Sequence, residues 1–237
     1  MPILGIIASS KKASPPVSGY TLWLDAADAS VFTYSSGTIV SQWTDKSGNN
    51  YNFTQATLSF QPDRQNNVQN GLPSVVFNAD FLINTLWDWS VIAFTVFAVI
   101  KNRSDPNNDA FLSREYSALA LGYDNTNKFA IHRAGFVTSA SNLINTGSNA
   151  DVAVWKSAGV SSGNISVDFY KNGTAGSAAL TLTSVTAGTR TLLGALYDNT
   201  TDPIVGHISE LLIYPSELSD TNRNSVEAYL KTKWGTP

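Results

Sequence analysis

The feature that most limits the fold of this chain is a succession of short apolar segments separated by turn residues. About a dozen such segments follow one another between Tyr20 and Leu218, at a spacing of roughly 8–15 residues, and no long helical pattern interrupts them. The most strand-like is Phe94–Ile100, whose two faces are both apolar, so we expect it to be a central strand. The succession predicts an all-β protein, a two-sheet antiparallel sandwich.

The end of the chain has the period of a helix instead. Its apolar residues recur at the i, i+3, i+4 and i+8 positions that share one helical face: Val226, Tyr229, Leu230 and Trp234. Ser219 is suited to be the N-cap, and Gly235 is placed where a glycine ends a helix. We expect one short C-terminal helix, with its charged residues, among them Arg223, Glu227 and Lys233, pointing away from the apolar face.

Composition excludes several classes of function. The 237 residues contain no cysteine, which rules out a disulfide scaffold, thiolate zinc sites and a cysteine nucleophile. The net charge is −3 and no Lys/Arg run is present, which argues against nucleic acid or an anionic membrane surface as a partner. Without an internal repeat or a shift in composition, residues 20–237 are predicted to form one domain.

The first 19 residues differ from the rest of the chain. Four large apolar residues, Ile3, Leu4, Ile6 and Ile7, precede Lys11 and Lys12, and a Ser/Pro-rich linker follows. A signal peptide would carry its charge before a longer apolar run, and this run is too short to cross a bilayer. We therefore expect residues 1–19 to be an arm and linker that anchor the domain to a neighbouring subunit of an assembly, with homo-oligomers as the expected state.

Three loops rich in oxygen ligands are the main candidates for a binding site. Carboxylates suited to Ca²⁺ occur in two of them, at Asp105, Asp109, Asp198 and Asp202. Sugar recognition needs an aromatic ring beside polar groups, a combination found at Tyr123, Asp124, Asn125, Tyr197 and Asn199. The alternative is that each loop is an ordinary turn, because Asp and Asn are common turn residues. No cofactor is expected apart from this candidate Ca²⁺.

Two tryptophans just before the predicted central strand have two interpretations. Trp87 and Trp89 share one face if this segment is extended. They could pack in the core or at a sheet corner, or they could be an exposed contact for a sugar or a neighbouring subunit.

Catalytic groups are sparse. Retaining glycoside hydrolysis needs two acids about 5–5.5 Å apart, but Pro215 separates Glu210 from Glu217, its nearest acidic candidate. We therefore interpret Glu210 as a partly buried acid whose hydrogen-bond donors are backbone or Ser/Thr groups. His132 and His207 are the two histidines and have no partner at a metal-binding spacing. These observations predict a chain that is not an enzyme.

Five segments, in this order, carry a family resemblance: Leu22–Asp28, Trp43–Asn49, Phe94–Val99, Asp168–Gly173, and Ile208–Tyr214 with the closing helix. Together they resemble the concanavalin A-like lectin/glucanase superfamily, and most closely the laminin-G-like domains of bacterial surface proteins and phage virion proteins. The resemblance covers about residues 20–235. The first ten residues also resemble the starts of small virion proteins of tailed phages.

The resemblance implies a jelly-roll sandwich that binds glycans or other proteins, in some members with calcium. It implies a place on the surface of a phage particle, with other virion subunits as partners and synthesis in the host cytoplasm. A capsid or tail decoration protein without a ligand is the alternative. A glycoside hydrolase is a third, because related hydrolases share the fold.

Overall fold

The computed structural model describes residues 14–85, 89, 92–102, 109–114, 119–126, 128–133, 136–144, 149–176, 180–182, 188–196 and 203–237. The anchor residues Ile3, Leu4, Ile6 and Ile7 lie outside these ranges. Within them, antiparallel strands dominate and one α-helix closes the chain. None of the helices in these ranges is long and apolar enough to cross a membrane. The all-β prediction is confirmed.

The strands follow the turn signals of the sequence. In chain order they are β1 (Leu22–Asp25), β2 (Phe32–Ser36), β3 (Ile39–Trp43), β4 (Phe53–Thr54), β5 (Asp63–Gln69), β6 (Leu72–Asn78), β7 (Leu82–Asn84), β8 (Phe94–Asn102), β9 (Asp109–Arg114), β10 (Ala120–Tyr123), β11 (Lys128–Arg133), β12 (Phe136–Ile144), β13 (Asp151–Ser157), β14 (Val160–Ser161), β15 (Asn164–Lys171), β16 (Thr174–Ala175), β17 (Leu180–Leu182), β18 (Thr191–Leu193) and β19 (Val205–Tyr214). The helix is α1 (Asp220–Trp234), and two short 3-10 turns span Ala29–Val31 and Leu58–Phe60.

The first sheet is built around its two longest strands, β8 and β19. They pair with each other, and β13, β15 and β17 extend the sheet beyond β8. The other edge of β19 is shared, because β1 pairs with its second half and β6 with its first half. The strand β8 therefore has a neighbour on each side, as its two apolar faces predicted.

The second sheet has the order β2, β3, β4, β7, β18, β9, β10, β11, β12. The strand β5 links the two sheets, since it pairs with β6 and, at one position, with β3. Between the sheets lies an aromatic core in which the Trp155 ring centroid is 4.8 Å from that of Phe111 and 5.4 Å from that of Phe129. The predicted two-sheet sandwich is therefore present.

The helix α1 lies on the outer face of the first sheet. The Ser219 hydroxyl accepts a hydrogen bond from the Asn222 N–H, and Gly235 adopts a left-handed conformation with φ of 62°, so both predicted ends are confirmed. Its apolar face, with Val226, Leu230 and Trp234, is buried as expected. Three of its charged residues depart from the prediction.

Arg223 and Glu227 were expected to point away from the sheet, but both are buried and form an ion pair at 2.9 Å. The Arg223 guanidinium also lies 3.6 Å from the centroid of the Tyr170 ring on β15. Lys233 likewise reaches inward, to Glu210. The helical period identified the apolar stripe correctly but underestimated its width, because long side chains can bury their stems and carry a charge to a buried partner.

Candidate functional site

The three candidate loops leave the sandwich at the same end. The strands β8 and β10 finish here and β9, β11 and β19 begin here, so the chain segments after Asn102, Tyr123 and Leu196 all depart from this end. Backbone pairings bring their bases together: Asp109 lies opposite Tyr123, and Ala110 forms a bridge with Pro203. We refer to this part of the sandwich as the loop-bearing end. Its assembly from distant segments was not visible in the sequence.

The loop after β10 is a tight turn organised by Asp124. One oxygen of this carboxylate accepts hydrogen bonds from the Thr126 N–H at 2.8 Å, the Thr126 hydroxyl at 2.7 Å and the Lys128 N–H at 2.9 Å. Asp124 is largely buried, whereas Asn125 and Thr126 are exposed. The turn therefore offers Asn125 and Thr126 to a ligand, while Asp124 mainly fixes the turn.

Tyr123 does not lie in this loop. It is the last residue of β10, it is fully buried, and its ring centroid is 5.0 Å from that of Phe129. The hypothesis that Tyr123 stacks on a sugar is therefore not supported by its position. The strand β10 extends to this residue, and the alternation of its side chains turns the ring into the core.

The calcium hypothesis can be examined at one of its four residues. Asp109 begins β9 and is fully buried. Asp105, Asp198 and Asp202 lie outside the described residues, as do Tyr197 and Asn199. Within the described part of the chain, no group of three or more His, Cys, Asp or Glu side chains could hold a metal ion. Calcium binding stays a prediction.

Trp89 belongs to the opposite end of the molecule. It follows β7 and precedes β8, which begins at the end away from the loops. Trp89 is fully buried, and its ring makes a T-shaped contact with the Phe94 ring, with the two centroids 5.3 Å apart. It is therefore a core residue and not an exposed contact. Trp87 lies outside the described residues. Among the residues that the structure describes, the proposed ligand-binding residues therefore do not form one site.

A second polar cluster, which we call the buried polar centre, lies beneath α1. It consists of Trp23, Asp25, Asp28, Lys46, Glu210, Tyr229, Lys233 and Trp234. Its middle is Glu210 on β19, which is fully buried. The Glu210 carboxylate accepts hydrogen bonds from the Trp234 indole at 2.6 Å, the Lys233 ammonium at 2.7 Å, the Trp23 indole at 2.8 Å and the Tyr229 hydroxyl at 3.2 Å.

Glu210 is a hydrogen-bonded acid as expected, but it is fully rather than partly buried, and its donors are not the backbone or Ser/Thr groups that we predicted. They come from β1 and α1, at opposite ends of the chain. A β-bulge explains why Glu210 can face them: Ile208 pairs with Ile100, yet Glu210 pairs with Val99. If Ser209 paired as an ordinary strand residue, Glu210 would lie opposite Ala98 and point into the core between the sheets.

The carboxylate partner of Glu210 is Asp25, not Glu217. The two acids are directly opposite each other on paired antiparallel strands. Lys233 bridges them, with its ammonium 2.7 Å from Glu210 and 2.8 Å from Asp25. Lys46 extends the cluster, since its ammonium is 2.8 Å from Asp25, 3.2 Å from Asp28 and 4.0 Å from the centroid of the Trp23 ring.

The pKa values of the two carboxyl groups are shifted in opposite directions. Burial raises the pKa of Glu210, and the negative charge of Asp25 adds to this effect, while Lys233 and Trp234 act against it. Burial also acts to raise the pKa of Asp25, but its ion pairs with Lys233 and Lys46 outweigh burial and hold that pKa below its ordinary value. Two carboxyl groups whose pKa values are shifted apart in this way can serve as acid and base where a substrate can reach them. Here the side chains of α1 cover Glu210 completely, and the described contacts make this centre an attachment for the helix.

The two histidines are not part of the buried polar centre. His132 on β11 is buried, and burial lowers its pKa to about 4, so its imidazole is neutral at pH 7. His207 is half-buried on β19, opposite Val76 and Lys101.

Comparison with known proteins relates the chain to others through its fold. No model of a known protein family matches it, and no curated protein sequence matches it. Among solved structures, it is similar to Trypanosoma rangeli sialidase in complex with the inhibitor DANA, with 13% identity, 91% of this chain and 34% of that chain covered, and a TM-score of 0.60. It is also similar to the receptor binding domain of a botulinum neurotoxin C/D mosaic serotype, with 14% identity, 92% and 55% of the chains covered, and a TM-score of 0.57.

These similarities are compatible with a concanavalin A-like sandwich, and at this identity they show the fold alone. The chain spans about a third of the sialidase and about half of the toxin domain. The prediction that the chain is not an enzyme is contradicted, because a sialidase is among the proteins that share its fold. The sequence argument had relied on missing motifs, and a fold that serves both binding and hydrolysis gives such an absence little weight.

Proposed function

We propose that this chain is a glycan- or receptor-binding domain whose ligand contacts the loop-bearing end. The observation that carries the proposal is the convergence there of polar segments from both sheets. Asn125 and Thr126 are exposed beyond the second sheet, and Asn78 is exposed at the end of β6 in the first sheet. The similarity to a toxin receptor binding domain supports the same class of function.

The site offers hydrogen-bonding groups on a fixed base. The paired strands β9, β10 and β11 form the base of the site, and the Asp124 turn restrains the residues that face solvent. Fixed amides and hydroxyls can recognise sugar hydroxyls at a low cost in conformational entropy. Calcium would add to this set: Ala110 and Pro203, which form a backbone bridge, directly follow Asp109 and Asp202 in the chain.

The finer assignment is a laminin-G-like module on the surface of a phage particle. It is supported by the order of the five sequence segments and by the resemblance of the first ten residues to virion proteins. In this role the apolar arm would anchor the domain to other virion subunits. Many copies would then multiply weak binding at each site.

A glycan array that includes sialylated oligosaccharides, probed with and without Ca²⁺, tests the binding proposal. The double variant Asn78→Ala/Asn125→Ala should lose signal. Asn164→Ala is the matched control, because Asn164 is exposed on the β14–β15 hairpin at the opposite end and should leave binding unchanged. Release of free sugar from the arrayed oligosaccharides is measured in the same samples to test for hydrolysis.

Two results would contradict the proposal. Absence of binding in both conditions would favour the purely structural decoration role. Equal loss of binding in the Asn164 control and the double variant would place the ligand elsewhere.

A further inference from the structure

The chain contains two Asn-Gly pairs, and the surroundings of their asparagine side chains differ. Asn70–Gly71 joins β5 to β6, and Asn172–Gly173 joins β15 to β16. In both pairs the two residues have positive φ: 50° and 73° in the first, 51° and 89° in the second. Both therefore occupy the same type of tight hairpin turn. Any difference in their reactivity must come from the surroundings of their side chains.

Both polar atoms of the Asn172 side-chain amide form hydrogen bonds. Its amide oxygen accepts a hydrogen bond from the Val152 N–H at 2.8 Å, and its amide nitrogen donates to Asp151 at 2.8 Å. The Gly173 N–H donates to Glu227 at 3.2 Å. Both the amide group and the following backbone nitrogen are therefore occupied.

Asn70 is exposed, and its amide nitrogen donates to the Lys233 carbonyl at 3.0 Å. Its side chain also fills the space beside Gly235, where an added Cβ would come within 2.9 Å of it. Asn70 thus binds one of the last carbonyls of α1, a group that a helix leaves without an intrahelical partner.

We propose that Asn70 is a site of spontaneous deamidation that weakens the attachment of α1, and that Asn172 is protected. Hydroxide removes the proton of the Gly71 nitrogen, which then forms a bond to Cγ of Asn70. The Cγ–Nδ2 bond breaks, Nδ2 takes a proton from water and leaves as ammonia, hydroxide is regenerated, and a cyclic succinimide results. Water then opens either carbonyl of this ring and yields aspartate or isoaspartate.

The product replaces a hydrogen-bond donor with a carboxylate. That carboxylate faces the Lys233 carbonyl at the C-terminal end of α1, where the helix dipole is negative, so the contact becomes repulsive. The modification therefore acts on the same helix that closes the buried polar centre.

Peptide mapping by mass spectrometry after incubation of the full chain at alkaline pH tests the chemistry. The rate of conversion at Asn70 should exceed that at Asn172 by about tenfold or more, because each hydrogen bond that must open first lowers the population of reactive conformers. In urea the two rates should become similar. Equal rates in the folded chain, faster conversion of Asn172, or conversion of Asn70 in urea alone would overturn the proposal.

Thermal unfolding of Asn70→Asp tests the consequence. Its Tm should fall by about 2–4 °C, the change expected in a chain of this size for a perturbation as large as one lost hydrogen bond. Asn67→Asp is the matched control, because it adds the same charge to an exposed position of the same hairpin. An equal fall in both variants would show that added charge, rather than contact with α1, is responsible.

Discussion

The buried polar centre and the loop-bearing end are both rich in polar side chains, but they are built in opposite ways. In the centre, the carboxylates of Asp25 and Glu210 are buried and bound by cations and indoles. At the loop-bearing end, exposed amides and hydroxyls stand above a turn that Asp124 fixes. Charge in the first region holds elements together, and polarity in the second is available to solvent.

Three of the five segments that carry the family resemblance contribute residues to the first region, as does the closing helix. Trp23, Asp25 and Asp28 come from the first segment, Lys46 from the second and Glu210 from the last, and Lys233 belongs to the closing helix. Asp45 from the second segment accepts hydrogen bonds from the Trp23 N–H at 3.0 Å and the Ser47 hydroxyl at 2.6 Å. These segments therefore identify how the sandwich is closed, and the candidate ligand contacts lie elsewhere.

The largest effect should follow from removing the cation between the two acids. Lys233→Met leaves Glu210 and Asp25 without their shared ammonium and should lower the free energy of unfolding by about 3–5 kcal/mol, measured by urea denaturation. Lys231→Met, which gives up a 3.3 Å contact with the Asn172 carbonyl, should cost about 1 kcal/mol or less. Adding Glu210→Gln to Lys233→Met should restore part of the loss. Equal losses in the two lysine variants would contradict the role assigned to the centre.

A smaller loss should follow from removing one neutral donor. Trp234→Phe deletes the indole that donates to Glu210 at 2.6 Å, a hydrogen bond to a charged group worth about 1.5–3 kcal/mol. Trp43→Phe is the control, because Trp43 is equally buried and its indole N–H has no hydrogen-bond partner among the described residues. The first variant should be the less stable by about 1.5 kcal/mol. A reversed order would mean that packing volume decides the outcome.

The dependence of stability on pH should separate the two acids. The raised pKa of Glu210 means that the folded state holds its proton more tightly, so its contribution is greatest below the ordinary value of 4.5 and declines as pH rises through the folded-state value. The lowered pKa of Asp25 gives a contribution that is present above 3.8 and is lost as pH falls through the folded-state value. Urea denaturation across pH should therefore show that Glu210→Gln flattens the profile above 4.5 and that Asp25→Asn flattens it below 3.8. The opposite assignment would refute these signs.

The smallest effects should occur at the loop-bearing end. Asp124→Ala removes the acceptor of the turn and should cost about 1 kcal/mol, whereas Asn125→Ala should change stability by less than about 0.5 kcal/mol. Urea denaturation of both variants tests this. A loss at Asn125 as large as that at Lys233 would remove the distinction between the two regions.

Local patterns allowed much of the fold to be predicted. The central position of β8 and both ends of α1 depend on neighbouring residues, and both predictions are confirmed. The pairing of Asp25 with Glu210 could not be predicted, because it depends on the alignment of two distant strands and on a bulge at Ser209. The burial of Tyr123 was missed because the sequence placed it in a loop, whereas pairing with Asp109 and Phe129 makes it the last residue of β10.

The late position of β19 has a consequence for how the molecule forms. This strand pairs with β1, β6 and β8, and its Glu210 binds an indole 187 residues earlier in the chain. Strands that are this far apart in sequence must close long loops before they gain any contact, which slows folding. During synthesis, the edges of β1 and β8 that face β19 stay unpaired until residues 205–214 have emerged. Nascent chains that stop before residue 205 should therefore be the species most prone to aggregate and most in need of chaperones.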